Sequence, residues 1–150
     1  MAKVAHLFLA RKRRAPMEEL TSVHVVEDAG FAGCAHARPH GKRQVLLVDI
    51  ETLTTMELAP GSVRENITTE GLEVNALEIG QRLLVGEVEL EVTAPCEPCE
   101  QIEALRPGLQ VAMIGKRGTL CRVLRGGKIE CGTQIEMGAG PLMAAPARQN

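Results

Sequence analysis

Residues 82–93, RLLVGEVELEVT, leave few folds open to the chain that contains them. Val88, Leu90 and Val92 alternate with Glu87, Glu89 and Glu91, the period of two that marks a half-exposed strand. Gly86 divides the run, so two strands joined by a tight turn are expected. KVAHLFL, LTSVHVV, RQVLLVD, GTLCRVL and TQIEM are further short runs rich in Val, Ile, Leu and Thr, bounded by Gly, Pro or charged clusters. The paired glycines of RGGK, residues 125–128, signal a second hairpin. Helical patterning is confined to DIETLTTMEL, residues 49–58, and EQIEALR, which follows the cysteine pair. The expectation is a mainly β domain, a barrel or closed sandwich with one or two short helices.

At 150 residues the chain is long enough for one domain that buries roughly 70% of its unfolded surface. No repeat and no Ser, Gly or Pro-rich linker divides it, so one unit over residues 1–137 is expected, with GAGPLMAAPARQN, 138–150, as a flexible tail. The charge balance, 17 basic against 19 acidic residues, and the absence of Tyr and Trp remove the broad electropositive surface and the stacking platforms of nucleic-acid binders. No apolar run reaches the ~18 residues of a membrane span, so no membrane partner is expected. Five cysteines is an odd count and no secretory signal pattern precedes them, which points to free thiols in the cytoplasm.

Two of those thiols stand three positions apart in APCEPCEQI, residues 94–102. Cys96 and Cys99 are open to four readings: a metal clip, a redox pair, a sulfur carrier or buried packing residues. A zinc site would need Cys34 and His36 or His40 to complete four ligands. A redox pair would need a strand–helix–strand context that the flanking pattern lacks. Carrier chemistry needs a thiolate; a helix starting at EQIEALR would favour one at Cys99, while Glu97 and Glu100 oppose it. Cys121 and Cys131 lie in strand-like runs and read as packing residues.

The polar segment RENITTEG offers Arg64 as a rigid fork of donors, Asn66 as donor and acceptor, and the hydroxyls of Thr68 and Thr69. Those residue types suit an anionic cofactor, or equally a turn whose side chains satisfy local backbone. ARKRRAP, residues 10–16, could neutralise a phosphate through Arg11, Lys12 or Arg13. His36, in the loop GCAHARPHGK, is displayed as functional histidines often are.

RENITTEGL, followed by the IGxRLxVGxVxLEVT pattern at 79–93 and the Pro-x-x-Pro-Cys ending at Cys99, resembles the MOSC domain family, the module at the C-terminus of molybdenum-cofactor sulfurases and also a small stand-alone bacterial protein. The resemblance spans residues 4–137 and fits at Arg64, Glu65, Asn66, Thr68, Gly71, Gly80 and Cys99, departing at Cys34, where an acidic residue is more usual. It implies a MOSC-type β-barrel of mixed strands, similar to the β-barrel domain of pyruvate kinase, whose cleft cysteine, by position Cys99, relays sulfur or ligates molybdenum. The molybdenum cofactor (molybdopterin), contacted by Arg64, Asn66, Thr68 and His36, is the implied ligand. A pyridoxal-phosphate cysteine desulfurase, or an enzyme that makes or uses the cofactor, is the implied partner. The resemblance leaves enzyme activity open and implies a sulfur-transferase-like accessory protein more than a complete oxidoreductase. The alternative is a zinc-binding structural or interaction module built on Cys96, Cys99, Cys34 and His36.

Overall fold

The computed structural model describes residues 1–141. An eight-stranded mixed sheet dominates it. Its strands, taken along the chain, are β1 (Lys3–Leu9), β2 (Glu18–Leu20), β5 (Val45–Asp49), β6 (Ile67–Glu70), β7 (Arg82–Val85), β8 (Val88–Pro95), β9 (Thr119–Arg125) and β11 (Ile135–Met137), in the spatial order β11-β7-β8-β9-β5-β6-β1-β2. β5 and β6 run parallel and every other neighbouring pair is antiparallel. A second sheet holds β3 (Ser22–Val26), β4 (Gly30–Phe31) and β10 (Gly127–Glu130), in the order β10-β3-β4.

The expected mainly β class is present, and the barrel takes a less complete form than the resemblance implies. The strand ladder does not close into a barrel. Among the described residues, the start of β1 meets the entry to β11 at a bridge between Lys3 and Gln134, flanked by bonds from the Val4 amide to the Thr133 carbonyl and from the Ile135 amide to the Ala2 carbonyl. Three short helices, α1 (Ile50–Thr55), α2 (Glu100–Glu103) and α3 (Leu109–Ala112), accompany the sheets, with one 3-10 turn at Val74–Ala76. Of these, α3 lies outside the two segments patterned for helix.

RLLVGEVELEVT forms the expected hairpin, with Leu83 opposite Leu90 and Val85 opposite Val88. RGGK does not. β9 and β10 are not paired; the chain leaves the large sheet at Gly126 and enters the small one, where Gly127 sits opposite Val25. The glycines serve a close approach rather than a turn: a Cβ on Gly126 would stand 2.5 Å from the Val25 carbonyl oxygen.

Two apolar clusters follow from the two faces of β5, all five of whose residues are buried. Val45 and Leu47 face the larger core, between the two sheets, with Leu83, Leu90, Val92, Cys121, Val25 and Ile129. Leu46 and Val48 face the opposite way into a smaller core capped by the helices, with Leu53, Cys96, Ile102, Leu109, Met113 and Leu120. A strand buried on both faces reads as a continuous apolar run, which is how VLLV looks in the sequence. Of the segment expected as a tail, Gly138 and Ala139 continue the pairing against Arg82, and residues 142–150 lie outside the described part. No helix among the described residues is long and apolar enough to cross a membrane.

Candidate functional site

Where Leu46 and Leu120 come to the surface at the margin of the smaller core, loops converge around a cleft of about 360 Å³. That volume falls within the ~300–1,000 Å³ range of small-molecule sites. The β1–β2 loop brings Arg13 and Arg14; the loop from β4 to β5 brings Ala35, His36, Arg38 and Arg43; the turn into β6 brings Arg64 and Asn66. Cys96 follows β8, Gln101 lies on α2, and Arg117 precedes β9. Six arginines therefore face one concavity, and among the described residues no carboxylate lines it.

The innermost cations are the least satisfied. Arg117 is only 7% exposed, yet its Nε and Nη1 have no hydrogen-bond partner, and the buried Nη2 of Arg64 has none either. Buried polar groups are normally paired, so these guanidinium donors in the cleft wall are open to an acceptor from outside. Arg64 also holds a left-handed backbone, φ 65°, closing a tight turn in which its amide donates to the Gly61 carbonyl. Such strain at a non-glycine residue costs on the order of 1–3 kcal/mol and gathers at functional sites. Gly118 explains how Arg117 comes so close to the sheet: a Cβ there would lie 2.5 Å from the Leu47 carbonyl oxygen, at φ +106°.

Asn66 lines the cleft with its side chain already engaged. Its Oδ1 accepts from the Leu46 amide at 3.0 Å, and its Nδ2 donates to the Phe8 carbonyl at 3.3 Å and lies 3.7 Å from the Cys34 sulfur. The amide ties β1 to β5 just ahead of β6. Thr68 is apart from the cleft: fully buried, it donates to Glu65 Oε2 at 2.6 Å, and Gly61 N donates to the same oxygen at 2.8 Å. Thr68 thus stabilises the turn that carries Arg64.

The five cysteines are all free and differ sharply in setting. Cys96 is buried in the cleft wall, its amide donating to the Gly118 carbonyl. Cys99 is exposed at the start of α2, whose first two turn bonds, from Ile102 N and Glu103 N, end on its carbonyl oxygen; it does not line the cleft. Cys34 lies in the larger core, beside His36. Burial raises its thiol pKa, but hydrogen bonds from the His36 side chain and from the Ala10 and His36 amides, with the charge of His36, outweigh that and bring it down to about 7 from 9.0. Cys121 is fully buried and is pushed up to about 12 by burial and by Glu91. Cys131, expected as packing, is exposed.

The residues named for the zinc alternative do not gather in this structure. Among the described residues no three His, Cys, Asp or Glu side chains gather as a metal site. Cys34 packs in one core and Cys96 in the other, Cys99 points to solvent, and His36 pairs with Cys34, so Cys96, Cys99, Cys34 and His36 do not converge. His40 is turned away to Asp28, 2.7 Å from Oδ2.

Of the residues the sequence singled out, the cleft gathers Arg64, Asn66, His36, Cys96 and, from ARKRRAP, Arg13 and Arg14; Arg11 pairs with Glu18 instead. Sequence reasoning missed Arg38, Arg43 and Arg117. Arg117 carried one legible signal, the following Gly118, and Arg38 lies in the histidine loop already noted, but nothing local distinguishes an inward arginine from a solvated one.

Comparison with known proteins agrees with this fold. No curated protein matches the sequence. Solved structures share the fold: YuaD from Bacillus subtilis, 22% identical with a TM-score of 0.77 over 91% of this chain and 94% of its own; YiiM from Geobacillus stearothermophilus, 19% identical, TM-score 0.75, over 93% and 76%; and YiiM from Escherichia coli, 19% identical, TM-score 0.71, over 93% and 70%. The family model described as the MOSC domain matches residues 39–136, from the histidine loop to the last strand, and so takes in Arg64, Asn66, Cys96, Cys99 and Arg117. With about two thirds of its length under that match, the chain belongs to the MOSC domain family, which is associated with molybdenum-cofactor sulfurase-like function.

Proposed function

We propose that the protein is a sulfur-handling carrier that holds molybdenum cofactor in the arginine-lined cleft and uses the thiols of the 96–99 loop at its edge. The observation that carries this reading is the set of buried, unpartnered donors on Arg64 and Arg117 in a cleft with a cysteine in its wall. The residues fit the group: orphaned guanidinium forks match phosphate oxygens, and thiolates suit a soft metal. Bound there, the cofactor would supply a metal able to take a thiolate ligand.

The chain's own residues divide the work. Arg64 and Arg117 bind and orient the phosphate end. Asn66, fixed by three elements, holds the Arg64 turn against β5. Cys99, exposed at the loop tip, is the thiol that a donor protein such as a pyridoxal-phosphate cysteine desulfurase can reach. In the relay its thiolate attacks the terminal sulfur of the donor persulfide, a new Cys99 S–S bond forms, the donor S–S bond breaks, and the donor leaves as a thiolate that takes up the proton. Cys96, three residues away in the cleft wall, is the nearest thiol to the bound ligand.

The test is molybdenum and pterin analysis of the protein from a host that makes the cofactor, alongside mass spectrometry after incubation with a desulfurase and cysteine. Wild type is expected to retain cofactor or to gain a persulfide adduct of ~32 Da at Cys99. Cys99→Ser should lose that adduct with an unchanged circular dichroism spectrum. Wild type with neither metal, pterin nor adduct overturns the reading.

A further inference from the structure

The two tiers of arginine in the cleft carry a statement about the charge of its ligand. The inner tier is Arg64 and Arg117, with buried donors; the outer tier is Arg13, Arg14, Arg38 and Arg43, all exposed. Among the described residues none of the six makes an ion pair or a guanidinium hydrogen bond. Elsewhere arginines do find carboxylates: Arg11 meets Glu18 at 2.9 Å and Arg122 meets Glu91 at 2.8 Å. In a chain with more acidic than basic residues, a cleft free of carboxylates is a local arrangement, not a reflection of composition.

That arrangement is costly without a ligand. Six like charges repel one another, and two of them, Arg14 at φ 66° and Arg64 at φ 65°, stand on left-handed backbone. Two planar forks are enough to occupy the oxygens of one phosphate. Arg64 and Arg117 already meet that need, which leaves the outer tier over the same opening with nothing to bind.

We propose that the cleft recognises a diphosphate: two phosphates in series, the first on Arg64 and Arg117 and the second on the outer arginines. This rests on the proposed function only in using the same cleft, and goes beyond it in fixing the ligand's charge. The experiment is calorimetric titration of the full chain with inorganic phosphate and pyrophosphate, and with a nucleoside monophosphate and diphosphate, at constant ionic strength. Pyrophosphate and the diphosphate should bind at least about ten-fold more tightly than their single-phosphate counterparts, the gain expected of a further charge-assisted contact. The outer variant R13Q/R14Q/R38Q/R43Q should reduce pyrophosphate affinity to that of phosphate, whereas Arg64→Gln or Arg117→Met should weaken both. Equal affinity for phosphate and pyrophosphate in wild type, no binding of either, or an outer variant that weakens both alike overturns the proposal. Metal and pterin content of the same preparation judges the cofactor reading separately: cofactor retained without a pyrophosphate preference refutes only the diphosphate, and the preference without cofactor refutes only the cofactor.

Discussion

Thr68→Val separates two roles for a residue that the sequence offers as a cofactor contact. In the structure its hydroxyl is one of two donors to Glu65 Oε2, at 2.6 Å, and both residues are 0% exposed. The other oxygen of that carboxyl, Oε1, has no partner, so the Thr68 hydroxyl provides half of all the hydrogen bonding this buried group receives. Valine keeps the β-branched shape that suits β6 and removes only the hydroxyl. Taking a donor from a buried acceptor costs about 1–3 kcal/mol, and no water replaces it at zero exposure. Urea unfolding should therefore show a loss of about 1–3 kcal/mol with an unchanged slope, and the melting temperature should fall by roughly 3–10 °C for a chain of this size. Affinity for phosphate, measured below the shifted melting transition, should change by less than about three-fold, since the residue lies behind the cleft wall. A variant as stable as wild type refutes the structural role; one that keeps its stability and loses anion binding returns Thr68 to the ligand.

Two further outcomes follow from the cysteines and glycines. Because the Cys34 thiol is lowered in the folded state to about 7 from 9.0, the folded protein sheds this proton before the unfolded chain does. Its contribution is therefore complete above pH ~9 and fades as pH falls through ~7. Cys34→Ser should flatten the rise in urea stability between pH 7 and 9; an unchanged slope there refutes the hydrogen-bonded thiolate. Gly118→Ala places a methyl 2.5 Å from the Leu47 carbonyl oxygen on a φ of +106°, so it should cost at least about 2 kcal/mol in denaturant unfolding. A neutral result would mean that the β9 entrance beside Arg117 is not as close-packed as described.

Local pattern carried most of the strand inventory. The alternation in RLLVGEVELEVT gave the β7–β8 hairpin with its register, because a period of two is a property of adjacent residues and survives any arrangement of the rest. β6 was hidden in RENITTEGL, whose Thr68 and Thr69 are polar residues that the fold buries, Thr68 bonded to the nearby Glu65, so the segment reads as a turn. RGGK was misread for a related reason: paired glycines permit a tight turn and a close crossing equally, and the Val25 carbonyl that decides between them is a hundred residues away in the chain.

The sequence by itself determined that this is a mainly β chain of the MOSC family with a cysteine pair after its longest strand, since periodicity and motif spacing are written in neighbouring residues. Only the tertiary structure decided which charges act together. Arg13, Arg38, Arg64 and Arg117 come from four separate segments and face one opening, while Cys34 and Cys96 fall in different cores on opposite sides of β5. The direction of a long side chain, and whether a carboxylate waits beside it, depends on the packing of segments far apart in sequence, and that packing brought six arginines to one cleft while holding Cys34, His36, Cys96 and Cys99 apart.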